Sequence, residues 1–167
     1  MKNLRPLLGA EVFQQAKVLA TTGEGLDIAT FGFGKGEKAA ELIRQAQPCR
    51  ILAGVFNEED TLKARTYYGW LYSQNIYKVG VRGLKNSHLK MIIQRGRYPK
   101  AIIGSMNAGG GATFECAVLL SGMPAQVFAT AFEDYWNNSS FELVPVNLKE
   151  VAEKLLDTTF PAQSESR

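Results

Sequence analysis

The sequence predicts an α/β fold in which a mixed β-sheet is flanked by helices. Its 167 residues are the length of one domain, and 46% of them are hydrophobic and 21% charged, which is typical of soluble globular proteins. Segments with apolar residues at helical spacing alternate with short apolar runs that favour strands. We expect one domain over residues 1–160 and a flexible tail over 161–167.

Helices and strands alternate in the first half of the chain. Apolar residues recur at helical spacing after Pro6, a residue that suits the first turn of a helix. Asn57 precedes acidic residues and is a suitable N-cap, because carboxylates stabilise the positive amino end of a helix. The predicted order is a helix over residues 6–20, a strand from residue 26, a helix over 37–47, a strand over 50–56 and a helix over 58–74.

The second half of the chain is richer in strands. Its apolar runs are short and bounded by Gly, Asn or Pro, which indicates hairpins or tight connections. Pro124 suits the first turn of a later helix, and Asn147 and Glu150 have the spacing of a capping box. We predict strands over residues 76–83, 87–93, 100–107, 115–122 and 141–146, and helices over 124–138 and 147–160.

Several classes of protein are disfavoured by the composition. The apolar runs are too short to cross a bilayer, and the amino-terminal segment lacks the apolar stretch of a signal peptide, so we expect a cytoplasmic protein that does not bind membranes. Cys49 and Cys116 lie far apart without CxxC spacing, so we expect reduced thiols and no disulfide or metal site. The sequence predicts neither a metal nor a cofactor.

Charge is distributed unevenly along the chain, although the net charge is only +3. No acidic residue lies between Asp60 and Glu115. One interpretation of this basic window is a surface that binds polyanions, and the other is a set of solvated charges whose partners come from the acidic carboxyl-terminal third. The basic residues of the window are Lys63, Arg65, Lys78, Arg82, Lys85, Lys90, Arg95, Arg97 and Lys100.

Four polar residues have spacings that suit phosphate chemistry. His88, the only histidine of the chain, lies two residues before Lys90, and Ser105 and Asn107 have the same spacing in a later predicted strand. Side chains two residues apart share a face of a strand, so neighbouring strands would bring all four groups to one patch. There the imidazole can attack phosphorus while the other groups stabilise charge on the phosphate oxygens. The general acid would be the histidine of a second subunit.

These residues resemble the motifs of the phospholipase D superfamily. H-L-K at His88, G-S-M-N at Gly104 and the later Glu115 resemble the HxK, GSxN and downstream glutamate of that family. The resemblance implies an α/β sandwich with one motif per chain and a homodimer that pairs two motifs, as in the dimeric bacterial nucleases of the superfamily. It also implies a phosphohistidine intermediate and a hydrogen bond from Glu115 to the histidine ring that fixes its tautomer.

One position departs from the family motif. Arg95 stands where the family has an aspartate, five residues after the lysine. Some members that resemble restriction enzymes share this departure, so it points to that metal-independent branch, and the alternative is an inactive copy.

The leading functional hypothesis is a metal-independent endonuclease, a phosphodiester hydrolase acting on nucleic acid, with DNA as the expected substrate. Two alternatives stay open: a hydrolase of phospholipid or of another phosphodiester, and a non-catalytic domain that binds nucleic acid. The candidate catalytic residues are His88, Lys90, Ser105, Asn107 and Glu115, and the candidate substrate-binding residues are Lys85, Arg95 and Arg97.

Two further segments have open interpretations. The aromatic residues Tyr67, Tyr68, Trp70 and Tyr72 could stack on bases or, since they lie in a predicted helix, belong to the core and to subunit contacts. The glycines at 109–111 lack a complete phosphate-loop pattern, so we interpret them as a flexible turn beside the site.

Overall fold

The computed structural model describes residues 3–33, 36–46, 48–108 and 115–147. In these residues an eight-stranded mixed sheet carries four α-helices, which confirms the predicted α/β class. The strands are β1 (Leu4–Leu8), β2 (Leu26–Thr30), β3 (Cys49–Val55), β4 (Val79–Lys85), β5 (Met91–Gln94), β6 (Lys100–Gly104), β7 (Cys116–Ser121) and β8 (Phe141–Glu142). The helices are α1 (Ala10–Thr22), α2 (Gly36–Gln45), α3 (Glu58–Ser73) and α4 (Met123–Asp134), the last continued by a π-helical turn over Tyr135–Ser139.

The strand order β1-β7-β6-β5-β2-β3-β4-β8 decides which residues meet. β2, β3 and β4 are parallel and are connected by α2 and α3. The remaining pairs are antiparallel, so β6 runs in the same direction as β2. The strands therefore share two ends, which we call the Thr30 end (Thr30, Val55, Lys85, Met91, Gly104, Cys116) and the Leu26 end (Leu26, Cys49, Val79, Gln94, Lys100, Ser121).

Both faces of the sheet are covered by apolar contacts. Alternate strand residues such as Ile28 and Ile51 are fully buried in the core that includes α1, α2 and α3. The opposite face packs residues such as Leu52 and Ile93 with Phe132 of α4. This alternation follows from the two-residue period of a strand and makes the fold a three-layer α/β/α arrangement. No helix in the described ranges is long and apolar enough to cross a membrane.

The predicted start of the first helix is wrong. Residues 4–8 form β1, and the helix begins at Ala10 after Gly9, whose φ is 55°. β1 pairs with β7 alone, so Pro6 occupies an edge strand, where a missing N–H is tolerated. The spacing of Leu7 and Leu8 fits a helix, but their partners are the residues of β7, which come late in the chain.

Other predicted boundaries also shift. The last described strand covers Phe141–Glu142, not residues 141–146, and β4 extends to Lys85, beyond the predicted end at residue 83. The predicted helix over residues 147–160 begins at a described residue, but residues 148–167, and with them the predicted tail, lie outside the described residues. The glycines at 109–111 also lie outside them.

Candidate active site

His88 and Lys90 lie in a short segment before β5, not in the strand predicted over residues 87–93. The segment crosses β3 so closely that a Cβ on Gly54 would lie 2.0 Å from the carbonyl oxygen of Ser87. Asn86 turns the chain into the segment with φ 55°, and its N–H donates to Val55 at 2.9 Å. A glycine in β3 and a left-handed asparagine thus position the histidine segment at the Thr30 end.

The side chains of His88 and Lys90 are in direct contact. Lys90 Nζ lies 2.9 Å from His88 Nδ1 and 3.2 Å from Nε2, and 3.3 Å from the carbonyl oxygen of His88. An ammonium group only donates hydrogen bonds, so the ring nitrogen that accepts from it carries no hydrogen. The His88 ring also packs on Phe31 with a centroid distance of 4.8 Å.

Ser105 and Glu115 form a second pair at the same end of the sheet. β6 ends at Gly104, so Ser105 and Asn107 follow the strand and are not part of it as predicted. Ser105 Oγ donates to Glu115 Oε2 and accepts from the N–H of Cys116 at 3.1 Å. The hydrogen bond of Glu115 in this structure therefore goes to Ser105, whereas the resemblance implied one to the histidine ring.

Asn107 is held by the end of β2. Its Oδ1 accepts from the N–H of Gly32 at 3.2 Å and lies 3.4 Å from Thr30 Oγ1, which donates to the carbonyl oxygen of Gly32. Thr30 is 1% exposed, and its hydroxyl accepts from the N–H of Ala108 at 3.0 Å. Because the carboxamide oxygen is occupied, the Nδ2 donors are the part of Asn107 left for a ligand.

Sequence reasoning missed Thr30 and Phe31. The available signal was a strand that ends in a threonine and is followed by glycine, a common position for ligand-contacting loops at the carboxyl ends of parallel strands. Nothing in the local sequence indicated that this strand end lies beside His88, since β2 pairs with β5 and the two strands are distant in the chain.

The electrostatics of the site centre on Lys90. Partial burial lowers the pKa of Lys90 below its ordinary range, and the negative charge of Glu115 opposes that shift. In the described residues, Lys90 forms no ion pair with a carboxylate. Its positive charge is therefore available to an anion that binds between the two strands.

The three predicted substrate-binding residues lie at different ends of the sheet. Lys85 is exposed at the Thr30 end and lines a cavity of about 600 Å³ together with His88. Arg95 and Arg97 follow β5 at the Leu26 end, where Arg95 Nε lies 3.3 Å from Asp27 Oδ1. The structure brings Lys85 to the histidine and does not bring the two arginines there.

The arrangement provides a nucleophile and donors on one patch. The His88 ring, the Lys90 ammonium and the Asn107 amide come from the amino end of β5 and the carboxyl end of β6, which are paired strands. In this structure Lys90 Nζ contacts both ring nitrogens of His88. The imidazole can attack phosphorus once the Lys90 ammonium donates to a phosphate oxygen instead, and the Asn107 amide also suits phosphate oxygens.

Comparisons with known proteins show that this chain shares its fold with several solved structures. The sequence matches no model of a protein family and no curated protein. The phospholipase D family member Nuc from Salmonella typhimurium has a similar structure, with a TM-score of 0.55, 15% identity, and coverage of 83% of this chain and 99% of Nuc. NucT from Helicobacter pylori gives a TM-score of 0.56 at 12% identity, covering 83% of this chain and 98% of NucT.

A longer structure is similar as well. Phosphatidylserine synthase from Haemophilus influenzae Rd KW20 has a TM-score of 0.56 at 17% identity over 93% of this chain, but the match spans only 46% of the synthase. At these identities the likeness is one of fold, and the fold of this chain is that of phospholipase D proteins.

Proposed function

We propose that this chain hydrolyses phosphodiester bonds of nucleic acid without a metal, through a phosphohistidine on His88 in a site shared by two copies of the chain. The observation that carries the proposal is the 2.9 Å contact between Lys90 Nζ and His88 Nδ1 at the strand end that also presents Asn107. The fold of Nuc and NucT supports the phospholipase D mechanism but does not by itself decide the reaction.

In the first step a nitrogen of His88 bonds to phosphorus while the bond from phosphorus to the leaving oxygen breaks. Lys90 and the Asn107 amide stabilise the negative charge on the non-bridging oxygens, which rises in the transition state. The leaving oxygen takes a proton from a general acid. In the second step the deprotonated acid accepts a proton from water, the water oxygen bonds to phosphorus, and the bond from phosphorus to the His88 nitrogen breaks, which releases the product and restores the imidazole.

The general acid has to be a group other than the His88 of the same chain. His88 acts as the nucleophile and is the single histidine of the sequence. A second copy, related by a twofold axis, would supply an equivalent imidazole to the same phosphate, and each ring would serve one role in a given turnover.

Nucleic acid is the substrate class that the surroundings of the site favour. Lys85 and Lys90 place positive charge at the Thr30 end, and Lys85 lines the large cavity beside His88. Contacts from lysine and arginine to phosphates dominate nucleic-acid affinity. A phospholipid is the second candidate, favoured by the structural likeness to phosphatidylserine synthase over 93% of this chain.

The third hypothesis, a non-catalytic binding domain, arose from Arg95 in place of the family aspartate. In the structure Arg95 contacts Asp27 at the Leu26 end, far from the His88 segment along β5. Arg95 therefore has a structural partner, and the cleavage assay below decides between catalysis and binding alone.

Cleavage of labelled DNA in excess EDTA tests the proposal. We expect cleavage by the purified chain and loss of cleavage by at least about four orders of magnitude in His88→Ala, because the nucleophile is removed. Lys17→Ala on the surface of α1 is the control and should retain full activity. A strict requirement for Mg²⁺, or equal turnover in His88→Ala, would contradict the mechanism, and turnover of phospholipid vesicles alone would favour the second candidate.

Co-expression tests the shared site separately. When equal amounts of wild-type and His88→Ala chains assemble at random, only dimers with two histidines should turn over, so activity falls to about one quarter of that of the wild-type dimer. Activity at one half, or a monomeric mass in solution with full turnover, would show that one chain suffices.

A further inference from the structure

A small cavity lies beside the candidate active site, between the carboxyl ends of β2 and β3 and the helix α3. Its volume is about 260 Å³, and aromatic rings from Phe31, Phe33 and Tyr67 line it. Asp60 and Lys63 add polar groups from the first turns of α3. The cavity is thus an apolar slot that also presents one acidic and one basic side chain.

The cavity is connected to the catalytic groups through two adjacent residues of the loop after β2. Phe31 is the ring against which His88 packs, at 4.8 Å between centroids. Gly32 donates its N–H to Asn107 at 3.2 Å. The loop that contacts His88 and Asn107 therefore also forms part of the cavity wall, so a ligand bound at those two residues lies beside the cavity.

The wall of the cavity is flat and fixed in position. Phe33 stacks on Tyr67 with 3.9 Å between centroids and 18° between ring planes. The Tyr67 hydroxyl donates to the carbonyl oxygen of Gly36 at 3.0 Å, which orients the ring, and Trp70 supports it at 5.4 Å. Planar groups stack well on such a surface, and bases of any sequence do so because each has a π-face.

The size and polarity of the cavity favour a single ring system over an acyl chain. Pockets for drug-sized ligands begin at about 300 Å³, so this cavity takes one ring system and not a folded acyl chain. Lys63 Nζ lies 2.6 Å from Glu59 Oε1, and Asp60 Oδ2 accepts from the N–H of Phe56 at 3.2 Å. A charged rim of this kind suits the ring nitrogens and exocyclic groups of a base and would be costly against a hydrocarbon tail.

The second cavity at His88 has a different character. It is larger, about 600 Å³, and its lining combines Lys85, Asn86 and Ser139 with the apolar side chains of Leu84 and Leu89. His88 lines this larger cavity and packs on Phe31, which lines the smaller one, so the histidine lies between an aromatic cavity and one that presents a lysine. A phosphodiester with a base on one side and a continuing sugar-phosphate chain on the other matches this asymmetry.

We propose that the cavity of Phe31, Phe33 and Tyr67 is a nucleobase subsite that selects nucleic acid over lipid at the active site. Selection between substrates rests on the proposed function, but binding of a base to the subsite can be tested without any turnover. Base recognition here comes from stacking, so it extends across sequences.

Binding of two small phosphates to the full chain tests the subsite. Deoxyadenosine 5′-monophosphate carries a base, and 2-deoxyribose 5-phosphate has the same phosphate and sugar without one. By titration calorimetry we expect the nucleotide to bind about ten-fold more tightly than the sugar phosphate. Phe33→Ala should remove that advantage and leave the affinity for the sugar phosphate unchanged.

Two further variants control for misfolding and for a general loss of aromatic surface. Phe33→Leu keeps an apolar side chain in the cavity but lacks the flat ring, so it should lose most of the ten-fold preference while it stays folded. Tyr72→Ala removes an exposed aromatic side chain of the same helix as Tyr67, outside the cavity, and should bind both phosphates like the wild type.

The outcomes separate this inference from the proposed function. Equal affinities for the two phosphates, or a preference that survives in both Phe33 variants, would overturn the subsite. A base preference that depends on Phe33, together with no DNA cleavage in EDTA, would support the subsite and overturn the hydrolase. Equal kcat/KM on DNA and on an oligonucleotide of abasic units would support the hydrolase and overturn the subsite.

Discussion

Charged side chains at the two ends of the sheet differ in whether they form ion pairs. At the Leu26 end, Asp27 is 3% exposed and accepts from Arg50 Nε and Nη2 at 2.7 Å each. Arg50 also donates to Glu133 at 3.0 Å, and its guanidinium lies 5.3 Å from the ring of Phe132. At the Thr30 end, Lys90 contacts the His88 ring and pairs with no carboxylate among the described residues.

This difference separates the basic residues that stabilise the fold from those that remain available to a ligand. Arg65, Arg82 and Arg95 of the basic window donate to backbone carbonyls of Val144, Ser140 and Pro48, respectively. Such arginines have part of their hydrogen-bonding capacity used by the protein itself. Their acceptors are mainly backbone carbonyls, although Arg82 also lies 4.0 Å from Glu142, an acidic residue of the carboxyl-terminal third. Lys85 and Lys90 lie at the candidate site, where binding of a polyanion stays a prediction.

The largest expected effect is on stability and comes from the Leu26 end. Arg50→Met removes both hydrogen bonds of the buried Asp27 carboxylate to Arg50 and leaves only the looser contact with Arg95 Nε at 3.3 Å. Removing one partner of a buried ion pair typically costs about 3–5 kcal/mol. We expect thermal unfolding to shift down by roughly 6–20 °C, with kcat of the folded protein unchanged. Arg44→Met on the exposed side of α2 is the matched control and should unfold like the wild type. A full loss of activity at unchanged stability would contradict the separation of the two ends.

The next effect is on catalysis and comes from the Thr30 end. Lys90→Gln removes the fixed charge beside His88, and we expect kcat to fall about 10²–10³-fold, a loss of about 2.7–4 kcal/mol of transition-state stabilisation. Thermal unfolding should change little, because Lys90 has no ion pair to lose in the described structure. The matched control is Lys78→Gln, an exposed lysine before β4 at the Leu26 end. Turnover of Lys90→Gln at the wild-type rate would remove Lys90 from the mechanism.

A smaller effect tests how the histidine segment is positioned. In Gly54→Ala the new Cβ would meet the backbone oxygen of Ser87 at 2.0 Å, so the segment must move away from β3. We expect a loss of about 1–3 kcal/mol in the free energy of unfolding and a lower kcat, since His88 moves with Ser87. Gly80→Ala on β4 is the control: its Cβ meets the movable Trp136 ring at 3.2 Å and should leave kcat unchanged.

Much of the fold could be predicted from local patterns. The parallel strands β2, β3 and β4 and the helices between them follow from apolar periodicity and from the cap at Asn57, whose side chain accepts from the N–H of Asp60 at 2.9 Å. β1 could not be predicted, because its assignment depends on pairing with β7 and residues 6–8 fit helical spacing equally well. Long-range pairing is a property of the folded chain that local spacing does not contain.

The proximity of His88 and Lys90 could be predicted from the sequence, but the residues that surround them could not. The spacing of His88 and Lys90 indicated that both side chains share a side, and they do meet, although in a segment outside the strand. Thr30 and Phe31 reach the site because β2 pairs with β5, and Arg95 lies at the other end of the sheet because it follows the carboxyl end of β5, where it contacts Asp27. These relations depend on strand order and buried charge, which a single sequence does not reveal.

The smallest expected effect is a shift in the pH dependence of kcat/KM, which tests how Glu115 influences Lys90 at the Thr30 end. Catalysis needs the Lys90 ammonium, so kcat/KM should fall as pH rises through the pKa of Lys90, which burial lowers and Glu115 raises. Glu115→Gln removes that raising influence, so the alkaline limb of its profile should move to lower pH. Lys90→Arg, whose guanidinium keeps its proton, should lose the limb altogether. A limb that persists in Lys90→Arg, or that moves to higher pH in Glu115→Gln, would assign the titration to another group.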